Sequence, residues 1–370
     1  MKQLLKKLIN KQMRRKILTL LNHLWCAFCR MIPLRKTVLF YTIRADGKLA
    51  GNSQAIYDAL GCKKIIFAHM LPHSKKLLPI AYYRLLTSKV IVTDDYVRYM
   101  RATELRKDQK LLQVWHACGA FKKFGLDAPS HLSPEAEKKT HAQYDAVAVT
   151  SENCRKAYAS AFNVDEKICL PLGSPRTDEI VNNADSLRVS IYSKYPEFKN
   201  KKIYLYCPTF REEDGVQIDY DPMIDWDKLS DALDADEIFI VRRHPIMKYR
   251  FFEKEYQNIL DLSNDSTLEL TSISKAIITD YSSVIYDACL MDVPCVFYCP
   301  DYKNYERGFY LNFPADLPGK MVTNSTDIIN AVRNSEGNTN LAAFKADQLS
   351  ACDGHSVERI TKLIYEWLEA

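Results

Sequence analysis

The sequence predicts an α/β protein built from two doubly wound domains that face a cleft. Two series of short, β-rich apolar segments alternate with segments of helical periodicity, and a polar stretch at 173–200 separates them. The length of 370 residues and the 47% hydrophobic content suffice for two domains with cores of their own. Sheets of this kind bind ligands beyond the carboxyl ends of their strands, so the residues that follow each strand are the candidates for function.

Each series supplies the strands of one predicted sheet. The first series predicts strands at 37–43, 64–69, 90–93, 113–115 and 146–150, with a helix at 52–60. The second predicts strands at 202–206, 238–241, 276–279 and 294–298. From residue 326 onward the pattern is helical, and 357–368 is amphipathic. We therefore predict a basic N-terminal segment at 1–36, a first domain at 37–175, a linker at 176–200, a second domain at 201–345 and a C-terminal helix at 346–370.

The N-terminal segment concentrates the positive charge. Residues 1–36 carry ten of the 51 Lys and Arg side chains and none of the 46 Asp and Glu side chains, so the remainder is slightly acidic. Apolar side chains recur there at helical spacing: Ile17, Leu18, Leu21, Leu24, Trp25 and Phe28. This apolar stretch is shorter than the ~20 residues that span a bilayer. We predict a basic amphipathic helix on an anionic membrane surface, with docking on its own domain or a mitochondrial-type presequence as alternatives, and no binding of nucleic acid.

The cysteines and glycines argue against bound cofactors. Eleven cysteines are scattered through the chain with no predicted signal peptide before them, which is typical of reduced thiols in a cytosolic protein. Cys26 and Cys29 form one C-x-x-C without a second pair at zinc spacing, and Asp234 and Asp236 fit a solvated turn better than a metal site. Walker and dinucleotide-binding glycine motifs are absent. We therefore predict no cofactor and no metal site.

Three strand ends of the second series carry groups suited to a phosphate. Ser282 and Ser283 stand where a strand runs into a helix N-terminus, whose unpaired N–H groups and dipole attract anions. Asp287 lies one turn along the same helix face and is expected to bind ribose hydroxyls. The other ends carry Thr209-Phe210-Arg211 and Arg242-Arg243-His244. Because these strand tips share one edge of the sheet, we predict one anion-binding crevice, in which a protonated His244 neutralises developing charge.

The first series contributes a second histidine. His116 directly follows the predicted strand 113–115 and opens the loop Ala117-Cys118-Gly119-Ala120. An unperturbed imidazole has a pKa of about 6.5, so its neutral form accepts a proton at physiological pH. The position predicts either a general base that faces the cleft or a structural histidine at a strand end.

Six motifs in a fixed order give the sequence a family resemblance. They are Trp115-His116-Ala117-Cys118-Gly119 with Lys122-Lys123-x-Gly125, Gly173-Ser174-Pro175-Arg176-x-Asp178, Pro208-Thr209-Phe210-Arg211, Arg243-His244-Pro245, Thr279-Asp280-Tyr281-Ser282-Ser283 and Arg307-Gly308-Phe309-Tyr310. With these motifs the chain resembles the CDP-glycerol glycerophosphotransferase family, which comprises the teichoic acid primases and polymerases of Gram-positive bacteria and related capsule enzymes. The first motif departs from the common W-H-G-T-P form, because Ala117 and Cys118 follow the histidine.

The resemblance implies a GT-B fold and a peripheral enzyme on the cytoplasmic face of the cell membrane. Such an enzyme transfers glycerol phosphate or ribitol phosphate from CDP-glycerol or CDP-ribitol to a hydroxyl of a polyprenyl-linked saccharide or growing polymer, and CMP leaves. The resemblance implies that His116 is the catalytic base and that His244 assists at the donor diphosphate. We assign the following residues to substrate binding: Ala117, Cys118, Gly119, Ala120, Arg176, Thr209, Phe210, Arg211, Arg242, Arg243, Ser282, Ser283, Val284 and Asp287. The alternatives are a GT-B glycosyltransferase that uses a nucleotide sugar and a non-catalytic, membrane-bound nucleotide-binding scaffold.

Overall fold

The computed structural model describes residues 2–370 apart from 44–46, 69–77, 129–131, 214–215, 219, 306–307 and 338–339. Two six-stranded sheets, each with all of its strand pairs parallel, carry helices between their strands. This arrangement confirms the predicted pair of doubly wound α/β units.

The first sheet has the strand order β2-β1-β3-β4-β5-β6. Its strands are β1 (Arg35–Thr42), β2 (Lys64–Ala68), β3 (Ser88–Thr93), β4 (Lys110–Gln113), β5 (Ala146–Ala148) and β6 (Cys169–Leu170). Its helices are α2 (Gly51–Ala59), α3 (Leu78–Thr87), α4 (Pro134–His141) and α5 (Arg155–Phe162). Because β1 lies between β2 and β3, the strand order reverses there, and a crevice opens between the carboxyl ends of β1 and β3.

The second sheet has the order β11-β10-β7-β12-β13-β14. Its strands are β7 (Lys202–Cys207), β10 (Glu237–Val241), β11 (Ile259–Asp261), β12 (Ser274–Thr279), β13 (Cys295–Tyr298) and β14 (Gly319–Val322), and β8 (Arg211–Glu213) and β9 (Val216–Ile218) form a separate antiparallel pair. The helices are α7 (Trp226–Ala232), α8 (Thr267–Ser272), α9 (Val284–Leu290) and α10 (Ile328–Arg333). Here the order reverses at β7, which opens the equivalent crevice between β7 and β12.

The strands are buried along nearly their whole length, as expected for parallel strands covered by helices on both faces. Every residue of β10 is buried, for example, and so are Val38 to Thr42 of β1. Alternate residues of β1 enter different cores: Leu39 packs towards α3 and α5, and Val38 packs towards α2. The resulting layers hold the two strand-end crevices in place.

Two later segments connect the sheets. The segment 176–200, which the sequence predicts as a linker, is largely helical: α6 (Asp178–Lys194) buries Ile180 and Ile191 in the core of the second sheet. The chain then returns through α11 (Asn340–Leu349) to α12 (Ser356–Glu369), which packs Ile360, Ile364 and Leu368 against the first sheet. The predicted domain boundaries remain predictions.

The N-terminal helix α1 (Lys2–Met31) docks on the first unit through its C-terminal end. Cys26 and Cys29 are buried, and Trp25 is half-buried, with its indole Nε1 donating to the Pro79 carbonyl over 2.7 Å. Leu21 and Leu24 stay exposed, Leu24 by 59%. The helix therefore combines docking on its own domain with an exposed apolar face. None of the helices in the described part of the chain is long and apolar enough to cross a membrane.

Candidate active site

In each sheet, the carboxyl ends of the strands and the residues that follow them form one edge. We call these the first edge and the second edge and define them by their residues. The first edge comprises Asn52, Asp94 and the loop 114–125, and the second edge comprises 207–211, 241–244 and 280–284. The first edge lies at the crevice between β1 and β3, and the second lies at the crevice between β7 and β12. All sequence-predicted site residues except Arg176 and Asp287 fall within these two edges.

His116 stands on a sharp turn that Asn52 holds. Strand β4 ends at Gln113, so the predicted strand 113–115 is wrong at its last two residues. Trp115 instead adopts a φ of +48°, a left-handed conformation that is strained for a bulky residue. The Asn52 Nδ2 group donates to the carbonyls of Val114 and Trp115, each over 2.9 Å, and thereby stabilises this turn.

The ring of His116 is exposed but oriented. Its centroid lies 4.2 Å from that of Trp115, and its Nδ1 lies 3.0 Å from the carbonyl oxygen of Asp94. A carbonyl oxygen only accepts, so Nδ1 carries the hydrogen, and Nε2 of the neutral ring keeps its lone pair. His116 therefore has the geometry of a general base.

The loop after His116 is used for packing between the two sheets. Gly119 has a φ of +60°, and a Cβ atom there would lie 2.1 Å from the Tyr286 ring on α9. The N–H of Gly119 donates to Thr150 Oγ1 over 3.1 Å, and that of Ala120 donates to Gln348 Oε1 over 3.1 Å. Cys118, Gly119 and Ala120 are thus buried, and these two amides already have partners, whereas Ala117 is half-buried.

Arg176 and Asp287 pair with each other at the joint between the edges. Arg176 Nη2 lies 2.8 Å from Asp287 Oδ1, and Nη1 donates to Oδ2 over 3.1 Å. Nη2 also donates to Cys118 Sγ over 3.2 Å, and burial raises the pKa of that thiol above its ordinary value. The assignments of Arg176 to phosphate and of Asp287 to ribose remain predictions, and in this structure their charges offset each other.

Asp280 organises the second edge. Its buried Oδ1 accepts from the backbone N–H groups of Thr209, over 2.9 Å, and Tyr281, over 2.6 Å. Its Oδ2 lies 2.8 Å from Arg211 Nη1, and Arg211 Nε donates to Asp301 over 2.7 Å. Arg211 is therefore fixed between two carboxylates.

Arg243 is also engaged within the protein. Its Nη2 lies 3.0 Å from Asp261 Oδ2, and its Nη1 donates to the Met247 carbonyl over 3.0 Å. The structure therefore places the two arginines Arg211 and Arg243 in structural ion pairs, and their predicted contact with substrate phosphates would add to these pairs.

Other polar atoms of the second edge have no partner among the described residues. These are the buried hydroxyl of Thr209 and the buried Nε of Arg242. Ser282 and Ser283 are half-buried at the start of α9, and Val284 N–H donates to Ser282 Oγ over 3.3 Å. These groups are the ones arranged to receive an anionic ligand.

His244 is exposed and lies beside Phe210, with 4.8 Å between the ring centroids. Its Nδ1 accepts from the Ile246 N–H over 3.3 Å, so Nε2 of the neutral ring carries the hydrogen and donates. Partial removal of the ring from water lowers the pKa of His244 below its ordinary value, and the positive charges of Arg242 and Lys122 lower it further. These effects favour the neutral ring in this structure, and the predicted role of a protonated His244 beside a diphosphate remains a prediction.

Lys122 belongs to the loop of the first edge, and its positive charge lowers the pKa of His244 on the second edge. Two backbone hydrogen bonds fix this loop to the segment 308–310 of the second unit. Lys123 N–H donates to the Gly308 carbonyl over 2.8 Å, and Tyr310 N–H donates to the Phe121 carbonyl over 2.9 Å. Arg307, which belongs to the last of the six motifs, lies outside the described residues. Among the described residues, no group of three or more His, Cys, Asp or Glu side chains could hold a metal ion.

Sequence reasoning missed Asn52, Asp94 and Asp301 as parts of this site. Asp94 directly follows the predicted strand 90–93, so the strand-end rule that selected His244 could also have selected it. Asn52 and Asp301 carry no comparable signal, because their roles depend on residues more than sixty positions away.

Comparisons with known proteins agree on one family. A family model described as CDP-Glycerol:Poly(glycerophosphate) glycerophosphotransferase matches residues 25–366. The teichoic acid ribitol-phosphate primase of Bacillus spizizenii is 35% identical over 91% of this chain and 93% of that protein. The teichoic acid poly(ribitol-phosphate) polymerase of the same organism is 30% identical over 95% of this chain and 60% of its own length. The teichoic acid glycerol-phosphate primase of Bacillus subtilis is 28% identical over 77% of this chain and 75% of that protein.

The solved structure of the wall teichoic acid polymerase TagF superposes with a TM-score of 0.75 at 22% identity, over 99% of this chain and 97% of that one. At this identity the similarity concerns the fold, and it confirms the predicted GT-B arrangement.

Proposed function

We propose that this chain, which belongs to the CDP-glycerol:poly(glycerophosphate) glycerophosphotransferase family, transfers glycerol phosphate or ribitol phosphate from its CDP ester to a hydroxyl of a polyprenyl-linked saccharide or growing teichoic acid or capsule polymer. Family membership makes the chain a transferase that uses a CDP-alditol. The chain is similar to a ribitol-phosphate primase over 91% of its own length and 93% of that protein, and this similarity supports a primase function.

The packing of the first-edge loop on the second unit is the observation that supports this site most strongly: Gly119 lies against the Tyr286 ring on α9, and Lys123 N–H donates to the Gly308 carbonyl over 2.8 Å. His244 on the second edge lies close enough to Lys122 on the first edge for the lysine to lower its pKa. The loop that carries Lys122 begins at His116. His116, the base, thus stands on one side of the cleft, and His244, a hydrogen-bond donor beside Arg242, stands on the other. Transfer between two substrates requires such an arrangement.

In the proposed reaction, the lone pair on Nε2 of His116 takes the proton of the acceptor hydroxyl. That oxygen attacks the alditol-bearing phosphorus, a new phosphoester bond forms, and the bond from phosphorus to the bridging oxygen of the diphosphate breaks. CMP leaves with the bonding electrons. Phosphoryl transfer depends mainly on positioning and on stabilisation of charge.

The second edge is proposed to hold the leaving CMP phosphate. Nε2–H of His244, the Thr209 hydroxyl and the buried Nε of Arg242 are donors that a phosphate could satisfy. The hydroxyls of Ser282 and Ser283 add neutral donors at the start of α9. Binding there would convert atoms that are now buried without partners into paired ones.

The assay for this proposal measures CMP released from CDP-glycerol and from CDP-ribitol, each with a polyprenyl-linked saccharide acceptor. We expect His116→Ala to lose about 10³-fold in turnover while it still binds the donor, because general-base catalysis is removed. His244→Ala should lose turnover and donor affinity together. His355→Ala is the control, because this histidine is exposed at the start of α12.

Near-normal CMP release by both variants would refute the assignment. Consumption of a nucleotide sugar without consumption of either CDP-alditol would indicate the glycosyltransferase alternative. Donor binding without consumption by the native protein would indicate a scaffold.

The proposed reaction uses no cofactor and no metal. The Lys122 and Arg242 charges that act on His244 are proposed to supply the positive potential that a divalent cation would otherwise provide. Dialysis against EDTA should leave the rate of CMP release unchanged. A loss of rate that Mg²⁺ restores would contradict this part of the proposal.

We further propose that α1 attaches the enzyme to the cytoplasmic face of an anionic membrane. Exposed apolar side chains cluster on this helix: Ile17, Leu18, Leu20, Leu21, Leu24 and Phe28. Ten basic side chains occur within residues 1–36, and each contributes about 1 kcal/mol near an anionic leaflet. Such a helix lies in the interface and keeps a lipid-linked acceptor near the cleft.

Sedimentation with phosphatidylglycerol vesicles tests this attachment. The double variant Leu21→Glu, Leu24→Glu should lose binding, because it places two carboxylates on the exposed apolar face. Val189→Glu on α6 is the matched control, because Val189 is an equally exposed apolar residue far from α1 in sequence. Unchanged sedimentation of the double variant would show that α1 is not the attachment site.

A further inference from the structure

We propose that Asn52 is a positioning residue for His116: its side-chain amide holds the turn that carries the base against the segment 174–176, at the joint between the two edges. This inference rests on the proposed function, since it assumes that His116 is the base. Asn52 acts through His116 and contacts neither substrate in this role.

The fold places Asn52 where one side chain reaches three strand ends. It lies in the first turn of α2, which follows β1, the strand at which the order of the first sheet reverses. Its partners follow two other strands: Val114 and Trp115 follow β4, and the segment 174–176 follows β6. Asn52 is 2% exposed, so its contacts are shielded from water. A single side chain thus ties the ends of β1, β4 and β6 together.

All four hydrogen-bonding positions of the Asn52 amide are used. Nδ2 donates to the carbonyls of Val114 and Trp115, each over 2.9 Å. Oδ1 accepts from Ser174 Oγ over 2.8 Å and from the Arg176 N–H over 3.0 Å. A backbone carbonyl only accepts and a backbone N–H only donates, so these partners also fix which end of the amide is oxygen and which is nitrogen. The amide is therefore saturated and held in one orientation.

The turn needs this support because its backbone is strained. Trp115 has a φ of +48°, which a bulky residue adopts only where its surroundings impose it. The turn in turn directs His116, whose ring centroid lies 4.2 Å from that of Trp115 and whose Nδ1 donates to the Asp94 carbonyl over 3.0 Å. Without the Asn52 donors, the backbone can relax to negative φ, and the ring of His116 then leaves Trp115. Nε2 would no longer point where the acceptor hydroxyl has to lie.

The other half of the amide extends this support to the second unit. Oδ1 holds the backbone of Arg176, and the side chain of Arg176 pairs with Asp287 on α9, with 2.8 Å between Nη2 and Oδ1. The turn of His116 is thus connected through Asn52 and Arg176 to the helix that begins at the second edge. Since transfer requires the base and the donor phosphate in a fixed relative geometry, a rigid connection between them serves catalysis.

The test compares full-length Asn52→Asp with Gln109→Glu. Aspartate has nearly the shape of asparagine and still accepts at Oδ1, but a carboxyl group carries at most one proton, so at most one of the two bonds to the turn survives. Gln109 is the matched control at the opposite, amino end of β4. It is a buried amide whose Nε2 donates to the carbonyls of Leu85 and Ser88 over 2.5 and 2.6 Å.

Three measurements are made on each variant: the ring signals of His116 by NMR, assigned with His116→Ala; kcat and KM for CMP release; and urea unfolding. The indole of Trp115 shifts the native ring signals away from those of free histidine, and in Asn52→Asp we expect them to move towards the free values. The kcat should fall by about 100-fold, because a displacement of about 1 Å has this cost, while the KM for the CDP-alditol stays near its native value. Gln109→Glu should lower the urea midpoint without moving the ring signals or kcat.

Two further variants complete the series. If Asn52→Asp does not fold, Asn52→Ala, which removes all four bonds without adding a charge, is measured in the same way. Ser174→Ala removes one of the two bonds at Oδ1 and should move the ring signals in the same direction by a smaller amount. Ring signals that stay in place in Ser174→Ala would overturn the part of the inference that concerns the segment 174–176.

Unchanged ring signals in Asn52→Asp, or an equal movement in Gln109→Glu, overturn the inference as a whole. The ring signals need no substrate, so they decide it even if the native protein releases no CMP. In that case the proposed function fails, while the dependence of His116 on Asn52 is judged separately.

Discussion

The two edges occupy equivalent places in their sheets, yet they are built differently. At the first edge, Asn52, Gly119 and Ala120 have polar groups bonded within the protein, and His116 is oriented through Nδ1 and keeps Nε2 for a substrate. At the second edge, buried atoms of Thr209 and Arg242 have no hydrogen-bond partner within the part of the chain that the structure describes.

This difference separates two tasks that one cleft must perform. A base has to be held still at a fixed angle, and a saturated hydrogen-bond network provides this. A diphosphate has to be received by donors that are already in place but not yet used. The same strand-end position therefore supports either task, and the local partners decide which.

Replacement of Arg176, which pairs with Asp287 at the joint between the edges, should have the largest effect on stability. In Arg176→Met, the buried Asp287 carboxylate loses its ion-pair partner, and we expect a loss of about 4 kcal/mol in the free energy of unfolding. Urea titration measures it. The double variant Arg176→Met, Asp287→Asn should recover at least half of the loss; no recovery would show that the arginine stabilises through other contacts.

Gly119→Ala, in the loop of the first edge, should destabilise the protein slightly less than Arg176→Met. The added Cβ would meet the Tyr286 ring at 2.1 Å and would impose a side chain on a φ of +60°. We expect a loss of about 3 kcal/mol in the free energy of unfolding, measured by urea titration. Gly337→Ala is the control for positive φ alone, because no atom of the described residues lies within 4 Å of its Cβ position. Equal losses in both variants would contradict a steric role for Tyr286.

Thr209→Val should separate binding from stability at the second edge. The Thr209 hydroxyl is buried and has no partner among the residues that the structure describes, so its loss should leave stability unchanged or higher. The KM for the CDP-alditol should rise by about 5-fold, which corresponds to one hydrogen bond. Thr279→Val is the matched control: its hydroxyl donates to the Cys207 carbonyl over 2.7 Å, so it should lose stability with little change in KM. The reverse pattern would contradict the proposed donor contact.

The smallest effect on stability is expected for His141, which packs on Phe162, the ring that also contacts Trp115 of the first edge. Burial lowers the pKa of His141 to about 3, with Arg101 adding to the effect. Its folded pKa lies below the unfolded value of about 6.5, so the stability that it contributes is present above pH 6.5 and is lost as the pH falls. Between pH 7 and pH 6 this loss should be ~0.7 kcal/mol. His141→Phe should remove this part of the pH dependence, as judged by urea titration at both values, and an unchanged slope would contradict it.

The sequence predicted the fold class and most of the strands, because buried parallel strands are continuous apolar segments. Strand β10 shows this pattern in full. Strands β6, β8, β9, β11 and β14 were not predicted, because two to four residues carry too little periodicity to be recognised. The turn at Trp115 was also missed, since its left-handed conformation depends on Asn52, far away in the sequence.

For the site, the sequence identified which residues approach the cleft better than it identified their partners. His116 and His244 lie at the predicted edges. The ion pairs of Arg211 with Asp280 and of Arg243 with Asp261 could not be predicted, because a strand-end arginine has the same sequence pattern whether a phosphate or a carboxylate faces it. Only the three-dimensional neighbours distinguish these two environments.

The return of α12 to the first sheet has a consequence for synthesis on the ribosome. Ile360, Ile364 and Leu368 of α12 cover the same core as Val38 and Phe40 of β1, so β1 is fully covered only after more than 300 further residues have been synthesised. Domains generally fold as they emerge, N-terminal part first. Here the first sheet would leave the exit tunnel with one apolar surface only partly covered until α12 has been synthesised, which makes that surface a natural place for a chaperone to bind.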